Sequence, residues 1–147
     1  LLRLLLPHLR LRRRWRRAGG PWGAPWGCRG CGRCCGRCWR CHNGPNFSDE
    51  SFHNTGVGVA DGAPEPGRFA ITGVDGDQGR FRTPGLRMLT KTAPYMHDGS
   101  LATLAEVVDF YREGGNANPH LSERMGSIEL TDEEAAQLVA FLEAMSR

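Results

Sequence analysis

Two stretches of the chain set apolar residues at helical spacing, and outside them the pattern dissolves into loops. Leu104, Val107, Val108 and Tyr111 follow i, i+3, i+4, i+7, the repeat that lines one face of an α-helix. Thr103 and Glu106 stand at capping-box spacing before them, so that the threonine oxygen takes an orphan amide and the glutamate reaches back. Gly114 and Gly115 mark the end of this helix. Leu138, Phe141, Leu142 and Met145 repeat the spacing behind a second capping box, Thr131 and Glu134. A third, short helix is expected to begin at Cys38. Residues 43–47, 61–67 and 75–79 carry Gly, Pro and Asp at turn density, and none alternates with a period of two. The pattern predicts a mostly α domain with long loops over residues 38–147. Two good helices are little regular structure for such a span. Something besides a large apolar core is therefore expected to organise the loops.

No apolar run reaches the roughly 18 residues that a membrane-spanning helix needs. The 147 residues carry a formal net charge of +3, but the two parts of the chain differ sharply. Residues 1–40 hold 11 Arg, all four Trp and five of the six Cys, with no acid; the remainder holds 8 basic and 16 acidic residues, a net of −8. A secretory signal would place charge before an apolar stretch. Here Leu1, Leu2 and Leu4–Leu6 come first and the Arg cluster follows, and no Met opens the chain. A basic arm with Trp can bind nucleic acid by neutralising phosphates and stacking on bases, yet basic low-complexity tails are most often simply solvated. The composition matches GC-rich codons read out of frame. Residues 1–37 are accordingly expected to be a disordered or out-of-frame segment, with no nucleic-acid partner.

The six cysteines fall at positions 28, 31, 34, 35, 38 and 41. A structural zinc site wants two separated ligand pairs, and near-adjacent cysteines cannot all meet disulfide geometry. Several C-x-x-C pairs occur, but only Cys38–Trp39–Arg40–Cys41 is followed by a histidine, His42. C-x-x-C-H is the attachment signature of c-type haem. The spacing lets two thiols reach two vinyl groups on one porphyrin edge, and the next residue turns its imidazole towards the iron.

The sequence from that point resembles the C-terminal haem domain of bacterial di-haem cytochrome c peroxidases and their MauG-like relatives. The likeness is carried by CWRCHNGPNFSDESFHNTGV, GRFRTPGLR, TAPYMHDGSLATLAEVVDFY and LTDEEAAQLVAFLEAM, and covers residues 38–146. It implies a cytochrome c-like haem domain, one covalent haem c on Cys38 and Cys41, and His42 as the proximal iron ligand. The family's distal ligand lies fourteen residues after the histidine of the PYxHDG block, which points to Tyr111. Classical peroxidases carry Met there and MauG-like members Tyr. Read from the residues alone, Tyr111 continues a buried helix face and is equally a core tyrosine, while Met125, Met96 or an open position remain alternatives for the iron. Arg87 and Arg82 are candidate propionate partners, His97 a candidate for shaping the haem pocket, and His53 a structural hydrogen-bonding residue. His8 and His120 read as surface residues, and Asp75, Asp77 and Gly79 as a turn.

Two departures from the family stand out. The resemblance implies a second haem domain, holding the peroxide-reactive haem, that is expected to be missing here, and Gly-rich residues 27–37 are not expected to form the amphipathic helix that precedes C-x-x-C-H in the family. The family's calcium uses backbone oxygens at positions matching Thr92 and Pro94, so calcium is expected only in a two-domain form. The expected function is electron transfer within a peroxidase-type oxidoreductase, with the missing haem domain and a small redox protein as partners, in the periplasm. A stand-alone mono-haem cytochrome c is the alternative, and a Cys/Arg-rich metal- or nucleic-acid-binding module a further one.

Overall fold

The structure is a computed structural model that describes residues 37–146. The basic segment expected over 1–37 therefore lies outside the described residues, apart from Arg37. The described residues open on a 3-10 turn, Cys38–Arg40, where the short helix was expected. Three α-helices follow: α1 (Phe69–Thr72), α2 (Leu104–Glu113) and α3 (Asp132–Ala144). Four two-residue strands pair in two antiparallel ladders. Strand β1 (Phe52–His53) meets β4 (Phe81–Arg82), and β2 (Val59–Ala60) meets β3 (Ala63–Pro64). Most of the described chain is turn and loop, so helix is a smaller share of the domain than the sequence pattern suggests. Strands this short show no alternation. The turn between β2 and β3, with Asp61 and Gly62 both at positive φ, is the usual Asp-Gly hairpin chemistry.

Both capping boxes form. The Glu106 amide donates to Thr103 Oγ1 at 3.2 Å and the Thr103 amide to Glu106 Oε2 at 3.0 Å. Thr131 and Glu134 do the same at the head of α3. Gly114 ends α2 at φ +95, where a Cβ would stand 2.6 Å from the Ser127 amide, so only glycine closes this helix. The two helices pack on each other through Leu104, Val108, Ala135 and Leu142, with Leu138, Phe141 and Met145 packed against that cluster. Arg112 ties their ends together, donating to Asp109, to the Leu130 carbonyl and to Asp132.

The loops are held by polar contacts. Asn54 is 1% exposed. Its Nδ2 donates to the Gln78 carbonyl and to Asn118 Oδ1, both at 3.0 Å, and its Oδ1 accepts from the Gly56 amide at 2.9 Å. Its own carbonyl accepts from the Ser122 amide at 2.9 Å. One side chain thus joins three loops far apart in sequence. Asn54→Ala leaves buried donors and acceptors without partners, and we expect it to cost about 2–3 kcal/mol of stability, read by chemical denaturation. A loss below about 0.5 kcal/mol would show that water replaces the amide freely.

Candidate haem site

The 3-10 turn brings Cys38, Cys41 and His42 into one local structure. The Cys41 and His42 amides both donate to the Cys38 carbonyl, at 3.3 and 2.8 Å. Both cysteines are free thiols and partly buried. Burial raises both thiol pKa values, the effect at Cys41 being partly offset by Arg124, so the thiols stay protonated.

His42 is oriented by its own downstream turn. Its Nδ1 lies 2.9 Å from the Phe47 carbonyl. A carbonyl only accepts, so Nδ1 carries the proton and Nε2 keeps the lone pair. Burial lowers the His42 pKa against the opposing pull of the Phe47 carbonyl, Asp49 and the Pro84 carbonyl. A neutral imidazole with a fixed tautomer is the state a metal ligand needs.

Tyr111 lies on α2, partly buried, with its ring edge-on to Phe110 at 5.6 Å. Burial pushes its phenol up to about 12, and the nearby Cys38 and Cys41 thiols add to the shift. It therefore lies beside the attachment turn. Among the described residues its hydroxyl makes no hydrogen bond, whereas a core tyrosine normally finds a carbonyl for that group.

The other candidates divide. The Met125 carbonyl accepts from Arg37 Nη1 at 3.0 Å, which keeps Met125 near the attachment turn. His97 instead stacks on Phe81, with ring centroids 3.5 Å apart, and its Nε2 pairs with Glu65 at 3.1 Å. Met96 adjoins it, at φ 68. Arg87 donates to the Pro45 carbonyl at 2.7 Å, and Arg82 pairs with Glu50. His53 has the structural role expected of it, with its Nε2 2.9 Å from Asp49 Oδ2.

That pair belongs to a cluster the sequence did not announce. Arg124 Nη1 donates to Asp49 Oδ2 at 2.9 Å and to the Arg40 carbonyl at 2.6 Å. Cys41, Asp49 and His53 each bring a ligand atom within 4.8 Å of the others, but Arg124 already supplies the cation there. Only the Asp49–His53 spacing was visible in sequence, and nothing in the pattern pointed to Arg124. Burial alone would raise the Asp49 carboxyl, yet hydrogen bonds from His53, the Ser51 amide and Thr83 outweigh it and hold the pKa at about 2. A depressed carboxyl contributes stability above its unfolded pKa of 3.8 and loses it as pH falls towards 2. Between pH 5 and 2 the melting temperature is expected to fall more steeply for the parent chain than for Asp49→Asn, which starts lower. Equal slopes would mean the cluster does not titrate with folding.

No protein-family model matches the chain. Among curated proteins, it is 37% identical to cytochrome-c peroxidase IdrP1 of Denitromonas iodatirespirans, over 72% of this chain and 36% of that protein. It is 41% identical to methylamine utilization protein MauG of Methylorubrum extorquens, over 71% of this chain and 30% of that protein. The matched stretch is similar to one part of the proteins of the cytochrome c peroxidase and MauG family. It spans about a third of the length of the curated relatives it matches. A crystal structure of a MauG-like protein associated with microbial copper homeostasis superposes with a TM-score of 0.69 at 41% identity, over 74% of this chain and 42% of the other.

The residues present fit the haem c that this family implies. Two thiols sit on one turn, an imidazole is held in its ligating tautomer, and an orphaned phenol lies beside them. The apolar core also needs completion. Among the described residues only Val57, Leu104, Val108, Ile128, Ala135 and Leu142 are buried hydrophobics, while Trp39, between the two cysteines, is 50% exposed. A large apolar group against the attachment turn would supply the surface that such loops lack.

Proposed function

We propose that this chain is the haem c-binding electron-transfer domain of a two-haem peroxidase-type oxidoreductase. The observation that carries the reading is the unpartnered Tyr111 hydroxyl beside the C-x-x-C-H turn. Cys38 and Cys41 would hold the porphyrin through two thioethers, His42 would ligate iron through Nε2, and Tyr111 would ligate it through its phenol oxygen. Bound there, haem supplies reversible one-electron exchange at iron. His42 would keep its Nδ1 proton, donated to the Phe47 carbonyl, and Tyr111 would bind as an anionic oxygen donor that favours the ferric state, its phenol proton released to solvent. With His42 and Tyr111 both committed to iron, the domain would relay electrons and would not bind peroxide. Peroxide chemistry belongs to the second haem domain of the longer relatives, and a small redox protein would be the electron partner. Calcium at Thr92 and Pro94 would require that second domain. Covalent haem attachment would put the protein in the periplasm. No helix among the described residues is long and apolar enough to cross a membrane.

The test is a pyridine haemochrome spectrum of the chain expressed with haem-attachment machinery. One covalent haem bound through two thioethers is expected, with slow peroxide turnover. A chain that carries no covalent haem overturns the reading; rapid peroxide-dependent turnover overturns the six-coordinate assignment.

A further inference from the structure

The turn at residues 44–47 orients the proximal histidine, and it is not rigid by itself. Its backbone bonds are Phe47 N–H to the Gly44 carbonyl at 3.2 Å and Ser48 N–H to the Asn43 carbonyl at 2.9 Å. Phe47, whose carbonyl holds His42, sits at φ 53. A bulky residue stays in that left-handed conformation only when its surroundings over-determine it.

The surroundings come from residues 83–87. Ser48 Oγ donates to the Thr83 carbonyl at 2.8 Å. Gly85 lies so close beneath the turn that a Cβ would stand 3.0 Å from the Asn46 carbonyl. Arg87 closes the clamp. Its Nη2 donates to the Pro45 carbonyl at 2.7 Å, and its guanidinium lies over the Phe47 ring at 5.4 Å.

We infer that Arg87 is a positioning residue for the proximal ligand, pinning the 44–47 turn so that the Phe47 carbonyl stays on His42 Nδ1. The inference rests on the reading of His42 as the iron ligand. It departs from the propionate role that the sequence suggests for Arg87. A firm Nδ1–H···O bond makes the imidazole a stronger donor and favours ferric iron. Loosening the turn therefore raises the haem potential. Deleting a nearby positive charge lowers it, because that charge opposes Fe(III) more than Fe(II). Positioning and plain charge thus move the potential in opposite directions.

The experiment uses the full haem-loaded chain and the variants Arg87→Gln and Arg87→Lys. Two quantities are read: the midpoint potential, and exchange of the hyperfine-shifted His42 Nδ1 proton by NMR. Arg87→Gln is expected to speed that exchange about tenfold, as loss of one charge-assisted hydrogen bond permits. Arg87→Lys keeps the charge but cannot both reach the Pro45 carbonyl and cover the Phe47 ring. It should show faster exchange and a raised potential, and because its charge is unchanged it also serves if the Gln variant folds poorly. Unchanged proton exchange in both variants, or a lowered potential in Arg87→Gln with no change in Arg87→Lys, overturns the inference in favour of a charge or propionate role. A parent chain without covalent haem is a separate failure: it removes the ligand reading itself, and this inference with it.

Discussion

Tyr111→Phe is expected to abolish a phenolate-to-iron charge-transfer band and to raise the haem potential while leaving the fold intact. The expected shift is on the order of 0.1 V, within the roughly 0.8 V that axial ligands command. The direction follows from the chemistry of the ligand, since an anionic oxygen stabilises Fe(III) more than Fe(II). The structure adds a second expectation, for stability. Among the described residues the Tyr111 hydroxyl has no hydrogen-bond partner, and burial pushes its pKa to about 12. Removing the oxygen therefore breaks no hydrogen bond to a described residue, and the haem-loaded variant should still unfold cooperatively. A core tyrosine would behave in the opposite way, with a stability loss and an unaltered spectrum. Tyr111→Met should raise the potential further, since a soft neutral thioether replaces a hard anion. If spectrum and potential do not move, the ligand must be sought at Met125, which Arg37 holds near the attachment turn, or at Met96.

Loss of both thioethers should have the larger effect on folding. The variant Cys38→Ala, Cys41→Ala is expected to lose covalent haem, and with it cooperative thermal unfolding. The buried apolar set among the described residues is small and split. Leu104, Val108, Ala135 and Leu142 form the cluster between α2 and α3, while Val57 and Ile128 lie outside it. A core of this size does not offset the entropy of ordering such long loops, roughly 1–2 kcal/mol per residue for the backbone alone. The expected readout is a broad, low-temperature transition by circular dichroism in place of a sharp one. Single variants should retain one thioether, with a correspondingly displaced haemochrome band and an intermediate melting temperature. A sharp transition in the haem-free double variant would show that the polar loop network suffices without the cofactor.

What could be read in the chain was what short-range chemistry dictates. The 3.6-residue repeats of α2 and α3, both capping boxes, the glycine stop after α2 and the C-x-x-C-H turn each depend on residues a few positions apart, and each formed as its local pattern required. The same residues pointed to the family. The tertiary structure decided the rest, because the remaining contacts span long separations and carry no period. Asn54 bonds residues 24 and 64 positions away, and Arg124 reaches Asp49 across 75. An amide or guanidinium of this kind looks, in sequence, like any surface polar residue. The tautomer of His42 depends on a carbonyl five residues on, delivered by a phenylalanine in a left-handed conformation that nothing in the sequence signals. Arg87 shows the same division. Its charge and its place beside the haem motifs suggested a propionate, but only the folded chain shows its guanidinium spent on the turn that holds His42. Periodicity and capping are fixed by neighbours along the chain, whereas the partner of a polar side chain is fixed by which loops the fold brings alongside it.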